Sequence, residues 1–70
     1  MTNQDEKTHD RIPVLLSIGQ VADLLRVSVS LLAKWRLNGR GPHYVKIGRR
    51  ILYDTNDVTT WLQAQKRSST

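Results

Sequence analysis

The first amphipathic segment of the chain begins at residue 18. Its apolar residues recur with the i, i+3, i+4 and i+7 spacing of one α-helical face: Ile18, Val21, Ala22 and Leu25. Ser17 stands directly before this stripe and Gln20 follows it three residues later, the order of a capping box. The pattern therefore predicts a helix that begins at Ile18 with Ser17 as its N-cap.

Three apolar residues, 14 to 16, precede that helix. A hydrophobic residue just before an N-cap can pack on the first turn of the helix as a staple. A short apolar run can also add a strand to a sheet. The pattern leaves both interpretations open.

A second helix is predicted from the N-cap Ser28 to about Leu37, with Asn38-Gly39 as its end. Because only about three residues separate the two helices, they must cross steeply, as in a helix-turn-helix. The side predicted to face the core carries Ser28, Leu31, Leu32 and Trp35. The side predicted to face outward carries Ser30, Ala33, Lys34 and Leu37.

Beyond Gly39 the hydrophobic period changes from that of a helix to that of a strand. Two β-prone runs, residues 44 to 47 and residues 50 to 53, are separated at Gly48. They predict a hairpin with a tight glycine turn, whose tip projects Arg49 and Arg50. A hairpin that carries arginines beside a helix-turn-helix is a wing.

The last apolar stripe, Val58, Trp61 and Leu62, predicts a third helix. Thr55 or Asn56 is its predicted N-cap, and a carboxylate in the first turn suits the helix dipole. Together the elements predict a small α+β winged helix-turn-helix with three helices and a two-stranded β-hairpin wing.

Length and composition exclude several function classes. Seventy residues allow one small domain without a deep substrate cleft. No cysteine is present, and His9 and His43 are too few and too far apart to form a metal site. No paired carboxylates, activated nucleophile or phosphate-binding glycine loop can be recognised. We expect a non-enzymatic protein without a metal or cofactor.

The charge is concentrated in the middle of the chain. Residues 24 to 53 contain seven Lys and Arg residues and no Asp or Glu, although the net charge of the whole chain is only +5. A solubilising surface usually mixes both signs, and a membrane-binding helix would carry its cations along one face. The distribution favours double-stranded nucleic acid as the partner and argues against a membrane.

The ends of the chain differ from this cationic block. Residues 1 to 13 are predicted to be a disordered acidic arm, residues 14 to 65 the DNA-binding domain, and residues 66 to 70 a basic and polar tail. No segment reads as a signal peptide or a membrane span. The expected location is the cytoplasm, and the nucleoid when the protein is bound to DNA.

A set of motifs runs in order through residues 17 to 62: Val21-Ala22-Asp23-Leu24-Leu25, Val27-Ser28, Trp35, Gly39, Pro42, Lys46-Ile47-Gly48-Arg49-Arg50, Asp57 and Trp61-Leu62. In this order they resemble the MerR-like winged helix-turn-helix module of phage and integrative-element excisionases and AlpA-type regulators. The resemblance covers about two thirds of the chain.

The resemblance implies that the second helix enters the major groove and that the wing engages the adjacent minor groove or the backbone. Such proteins commonly act as recombination directionality factors. They bind repeated sites beside an attachment site and bend the DNA, so that an integrase favours excision. Other members regulate promoters, which remains an alternative function, and a protein-interaction adaptor is a further one.

Nine residues are predicted to contact DNA: Ser28, Ser30, Ala33, Lys34, Arg36, Arg40, Lys46, Arg49 and Arg50. Lys34 can meet guanine O6 and N7 or a phosphate, and Ser30 can act as a small donor. Arg49 and Arg50 can follow phosphates or enter a narrow minor groove.

The second helix departs from its relatives in having apolar residues, Val29, Leu31 and Ala33, where polar ones are frequent. Few donors are left to read base edges, so we predict cooperative binding of several copies, with DNA shape adding selectivity. Leu37 can contact a thymine methyl group or pack beneath the hairpin near Pro42. We favour the second interpretation.

Overall fold

The computed structural model describes residues 12–68, which contain three helices and one sheet. In chain order the elements are β1 (Leu15–Ser17), α1 (Ile18–Leu25), α2 (Val29–Asn38), β2 (Val45–Ile47), β3 (Arg50–Asp54) and α3 (Thr55–Gln65). The predicted α+β winged helix-turn-helix is confirmed. Almost all of the predicted acidic arm, and the last two residues of the tail, lie outside the described residues.

The sheet has three strands, so the prediction of a two-stranded hairpin was incomplete. Strand β3 is central, with β1 and β2 antiparallel on either side. Leu16 of β1 lies opposite the buried Tyr53 of β3, and the Thr55 amide donates to the Val14 carbonyl at 3.1 Å. The apolar segment before α1 therefore forms a strand and not a helix staple, because Leu16 is placed beside the buried Tyr53.

Helix α1 has the predicted capping box. The Ser17 hydroxyl accepts from the Gln20 amide at 3.1 Å, and the Gln20 side chain accepts from the Ser17 amide at 2.8 Å. The helix ends at Arg26, which adopts the left-handed conformation with φ of 60°. The Val27 amide then donates to the Ala22 carbonyl at 3.0 Å, the bond of a Schellman turn. No glycine marks this turn in the sequence.

The N-terminus of α3 differs from the prediction. Asp54, and neither Thr55 nor Asn56, is the N-cap, because its carboxylate accepts from the Asn56 amide at 2.7 Å. Asp57 lies in the first turn as expected, where it interacts favourably with the helix dipole. Strand β3 therefore continues directly into α3 without a loop.

The core is formed by five buried residues from α1, α2, β3 and α3: Val21, Ala22, Leu32, Tyr53 and Val58. Trp35, predicted as a core residue, packs against this cluster but remains half-buried. Its ring lies beside that of Trp61 in α3, with 5.3 Å between the ring centroids. The tryptophan pair therefore joins α2 to α3 at the border of the core.

The loop after α2 packs closely on Trp35. Helix α2 ends at Gly39, which has φ of 71°, and the Arg40 amide donates to the Trp35 carbonyl at 2.7 Å. Gly41 also has positive φ, 78°, and a Cβ atom at this residue would lie 2.8 Å from Cε3 of Trp35. Only glycine allows the backbone to approach the indole this closely.

Two glycine substitutions test this packing. Gly39→Ala meets no atom within 4 Å, so it should cost only the left-handed conformational energy, about 1 kcal/mol. Gly41→Ala should cost roughly 3 kcal/mol, because the clash with Trp35 is added to the same backbone term. Urea denaturation measures both changes. Equal losses in the two variants would show that the Trp35 contact contributes nothing.

Candidate nucleic-acid interface

One side of α2 is exposed to solvent along most of its length. Ser30 and Lys34 are exposed there, as predicted, while Ala33 is half-buried. Leu37 shares this side with Ser30 and Lys34, because it follows them by seven and three residues. We call the exposed residues Ser30, Lys34, Leu37 and Asn38 the α2 stripe.

The interpretation that Leu37 packs beneath the hairpin was wrong. Its side chain is 88% exposed, more than any other large hydrophobic residue between 12 and 68. Pro42 is buried instead, in the loop that follows α2. Leu37 points away from that loop because the opposite sides of the helix are occupied by Leu32 and Trp35.

Ser28 and Val29 form the start of α2. The Ser28 hydroxyl accepts from the Leu31 amide at 3.0 Å, so this side chain caps the helix. Val29 follows it and is half exposed. The cap fixes where α2 begins after the turn at Arg26, and this in turn sets the direction of the α2 stripe.

Arg36, one of the predicted DNA contacts, is directed toward the sheet. Its guanidinium Nη1 donates to the Tyr53 hydroxyl at 2.9 Å, and its Cζ lies 5.9 Å from the centre of the Tyr44 ring. The side chain is half-buried, and the two tyrosine rings lie 6.3 Å apart. Arg36 therefore ties α2 to the hairpin through a hydrogen bond and a cation–π contact.

The hairpin has the predicted tight turn. Gly48 and Arg49 connect the strands, and Gly48 alone of the two has positive φ, 61°. This is the pattern of a type II′ turn, which matches the twist of the flanking strands. Arg49 and Arg50 are exposed at the tip, as the sequence predicts.

The two faces of the hairpin carry different cations. Lys46 pairs with Ile51, so it shares the sheet face that packs on the core, and it is exposed at the end of that face. Arg50 pairs with Ile47 and therefore lies on the opposite face. Lys46 is thus on the same side of the sheet as α2, and Arg49 occupies the turn between the two faces.

Six of the seven cations between residues 24 and 53 are exposed: Arg26, Lys34, Arg40, Lys46, Arg49 and Arg50. Arg36 is the half-buried one. The nearest carboxylates that follow, Asp54 and Asp57, lie at the N-terminus of α3, where Asp54 acts as a cap. The exposed cations therefore lie on the turn, α2, the loop and the hairpin, in a stretch of the chain that contains no carboxylate.

Sequence reasoning missed Asn38 and the role of Arg36. Asn38 is the last residue of α2 and is exposed, but the sequence marks it only as the end of a helix. The contact of Arg36 with Tyr53 spans seventeen positions, so no local pattern indicates it. The only sequence feature that could have indicated this contact is the presence of an arginine in the second predicted helix and of Tyr44 and Tyr53 in the predicted hairpin.

Within the described part of the chain, no three His, Asp or Glu side chains lie close enough together to hold a metal ion. None of the helices described here has the length and apolar character needed to cross a membrane.

Comparison with known proteins agrees with this geometry. The chain belongs to a helix-turn-helix family, since the family model described as "Helix-turn-helix domain" matches residues 15–66. The matched region contains all six elements of the structure. None of the curated proteins compared with the chain matches it. The family supports binding of double-stranded DNA.

A double-mutant cycle tests the contact between α2 and the hairpin. Arg36→Met and Tyr53→Phe should each lower the free energy of unfolding by about 1.5–3 kcal/mol, because each leaves a buried or half-buried polar group without its partner. The double variant should lose less than the sum, with a coupling energy on the order of 1 kcal/mol.

Lys34→Met is the matched control for this cycle, since Lys34 is an exposed cation on the same helix. It should change the free energy of unfolding by less than about 0.5 kcal/mol. Strict additivity of Arg36→Met and Tyr53→Phe in urea denaturation would contradict the proposed tie.

Proposed function

We propose that the protein binds double-stranded DNA, with α2 in the major groove and the hairpin on the neighbouring backbone or minor groove. In this role it acts as an excisionase-like recombination directionality factor. The observation that carries the proposal is that one fold presents both the exposed α2 stripe and the cationic hairpin. The hydrogen bond from Arg36 of α2 to Tyr53 of β3 joins the two. Membership of the helix-turn-helix family supports it.

The α2 stripe supplies the contacts with bases. Lys34 lies at its centre and fits guanine O6 and N7, while Ser30 is a small donor one turn earlier. Ser28 contributes by capping the helix, and Ala33 adds a small surface beside the stripe. The stripe offers only three polar side chains to read base edges, so a single copy has little power to discriminate between sequences.

The remaining cations supply affinity through the phosphates. Arg40 is exposed just after α2, and Lys46, Arg49 and Arg50 are exposed on the hairpin. Ion pairs with phosphates release counterions, so they strengthen binding without regard to sequence. Arg36 contributes indirectly, since it holds the hairpin cations at a fixed distance from α2.

This division of contacts supports binding of several copies to repeated sites. Strong phosphate binding with weak base readout gives one copy affinity but little selectivity. Neighbouring copies on repeated sites, together with sequence-dependent bending of the DNA, would supply the missing selectivity. A recombination directionality factor needs this kind of assembly beside an attachment site, with an integrase as its partner.

Salt dependence tests the DNA interface. With four phosphate contacts, from Arg40 and the three hairpin cations, log K should fall against log salt with a slope of roughly −3.6. The variant Arg49→Ala/Arg50→Ala should flatten the slope by about two units, with thermal stability nearly unchanged because both residues are exposed. Fluorescence anisotropy with duplex DNA measures the slope.

The matched control removes the same charge elsewhere. Lys66 and Arg67 are exposed beyond the end of α3, so Lys66→Ala/Arg67→Ala should leave the slope close to that of the unchanged protein. Equal slopes for both double variants would mean that net charge, and not the hairpin, governs binding. An unchanged slope for the hairpin variant would exclude the hairpin from the interface.

Two experiments test the excisionase function: footprinting on the DNA that flanks the gene of this protein, and an excision assay. The excision assay uses the integrase of the mobile element that carries this gene. We expect several regularly spaced footprints near an attachment site and more excision product when the protein is added. A promoter regulator of the same fold would give a footprint over a promoter and a change in transcript level, with no effect on excision. That second result would refute the excisionase assignment.

A further inference from the structure

The exposed leucine of the α2 stripe has no role in the fold. Leu37 is 88% exposed and is absent from the side chains that pack on the core. A large apolar side chain gains nothing from this position in the free protein, since water surrounds it. It lies one turn after Lys34, on the surface that the proposed function assigns to the major groove.

The surroundings of Leu37 determine what can cover it. Its neighbours on the stripe, Ser30, Lys34 and Asn38, are polar or charged, and Ala33, one turn earlier beside the stripe, is small and half-buried, so Leu37 is the one large apolar side chain of this strip. Protein docking surfaces usually present contiguous apolar area of a few hundred Å². In the major groove, by contrast, the thymine C5-methyl group is a single apolar group among hydrogen-bonding atoms. One large apolar side chain among polar ones therefore fits the major groove better than it fits a protein docking surface.

We propose that Leu37 is a specificity residue that contacts thymine C5-methyl groups, and that the protein prefers A·T pairs beneath the last turn of α2. The proposal rests on the proposed binding of DNA through α2.

Asn38 supports the same preference from an independent side chain. It is exposed, adjacent to Leu37, and carries the amide that pairs with adenine N6 and N7. An A·T pair presents the thymine methyl group and this adenine edge together in the major groove. Leu37 and Asn38 therefore favour the same kind of base pair, while Lys34, one turn earlier, favours guanine or a phosphate.

The test compares thymine with uracil, which lacks only the C5-methyl group. Duplexes that bind the protein are first selected from a random library, and each thymine in a selected duplex is then replaced by deoxyuridine, one at a time. At one or two positions the replacement should weaken binding about fourfold, the loss expected for one buried methyl group. Fluorescence anisotropy at constant salt measures each affinity.

Two variants assign the effect to a side chain. Leu37→Ala should bind the thymine duplex about as weakly as the unchanged protein binds the uracil duplex, and should no longer distinguish the two. Its folding should be unaffected, because the residue is almost fully exposed. Leu62→Ala removes a leucine that is 42% exposed on α3, and it should keep the full thymine preference.

Three results would overturn the proposal. The first is equal affinity for thymine and uracil duplexes at every position, with salt-dependent DNA binding intact, which refutes only the role of Leu37. The second is a Leu37→Ala variant that keeps the thymine preference but loses cooperativity between copies, which assigns Leu37 to a protein contact. The third is the absence of duplex binding, which refutes the proposed function as well.

Discussion

The position of Tyr53 is the constraint on which the rest of the structure depends. It lies in the central strand, is fully buried, and faces Leu16 of the neighbouring strand. Its ring belongs to the core with residues of all three helices, and its hydroxyl accepts the hydrogen bond from Arg36. A single side chain thus helps to set the positions of β1 and of α2 with respect to the core.

In this arrangement, different sides of α2 contact different parts of the fold. Leu32 enters the core, Arg36 reaches the tyrosines of the sheet, and Trp35 packs on the loop and on Trp61. Three contacts around one helix leave the α2 stripe, together with Val29 in the first turn, exposed to solvent. A domain of this size therefore presents its second helix in one orientation, as recognition of DNA requires.

Local features were predictable from the sequence, and long-range ones were not. Ser17 and Ser28 cap helices where the pattern places them, and Gly48 turns the hairpin, because each feature depends on residues within a few positions. Strand β1 depends on burial beside Tyr53, and the orientation of Arg36 depends on an acceptor in another element. Helical periodicity correctly placed Leu37 on the outward side of α2, but its expected packing beneath the hairpin was wrong, because that depends on the fold of the following loop, where Pro42 is buried instead. The DNA contacts proposed for the site residues remain predictions.

The central claim is that the α2 stripe and the hairpin bind DNA as one surface. Titration of ¹⁵N-labelled protein with duplex DNA, followed by two-dimensional NMR, tests it residue by residue. We expect the largest shift changes at the amides of residues 30 to 38 and 46 to 50, with the indole N–H of Trp61 nearly unchanged. Changes concentrated in α3 and at Trp61, with residues 30 to 38 unaffected, would contradict the account.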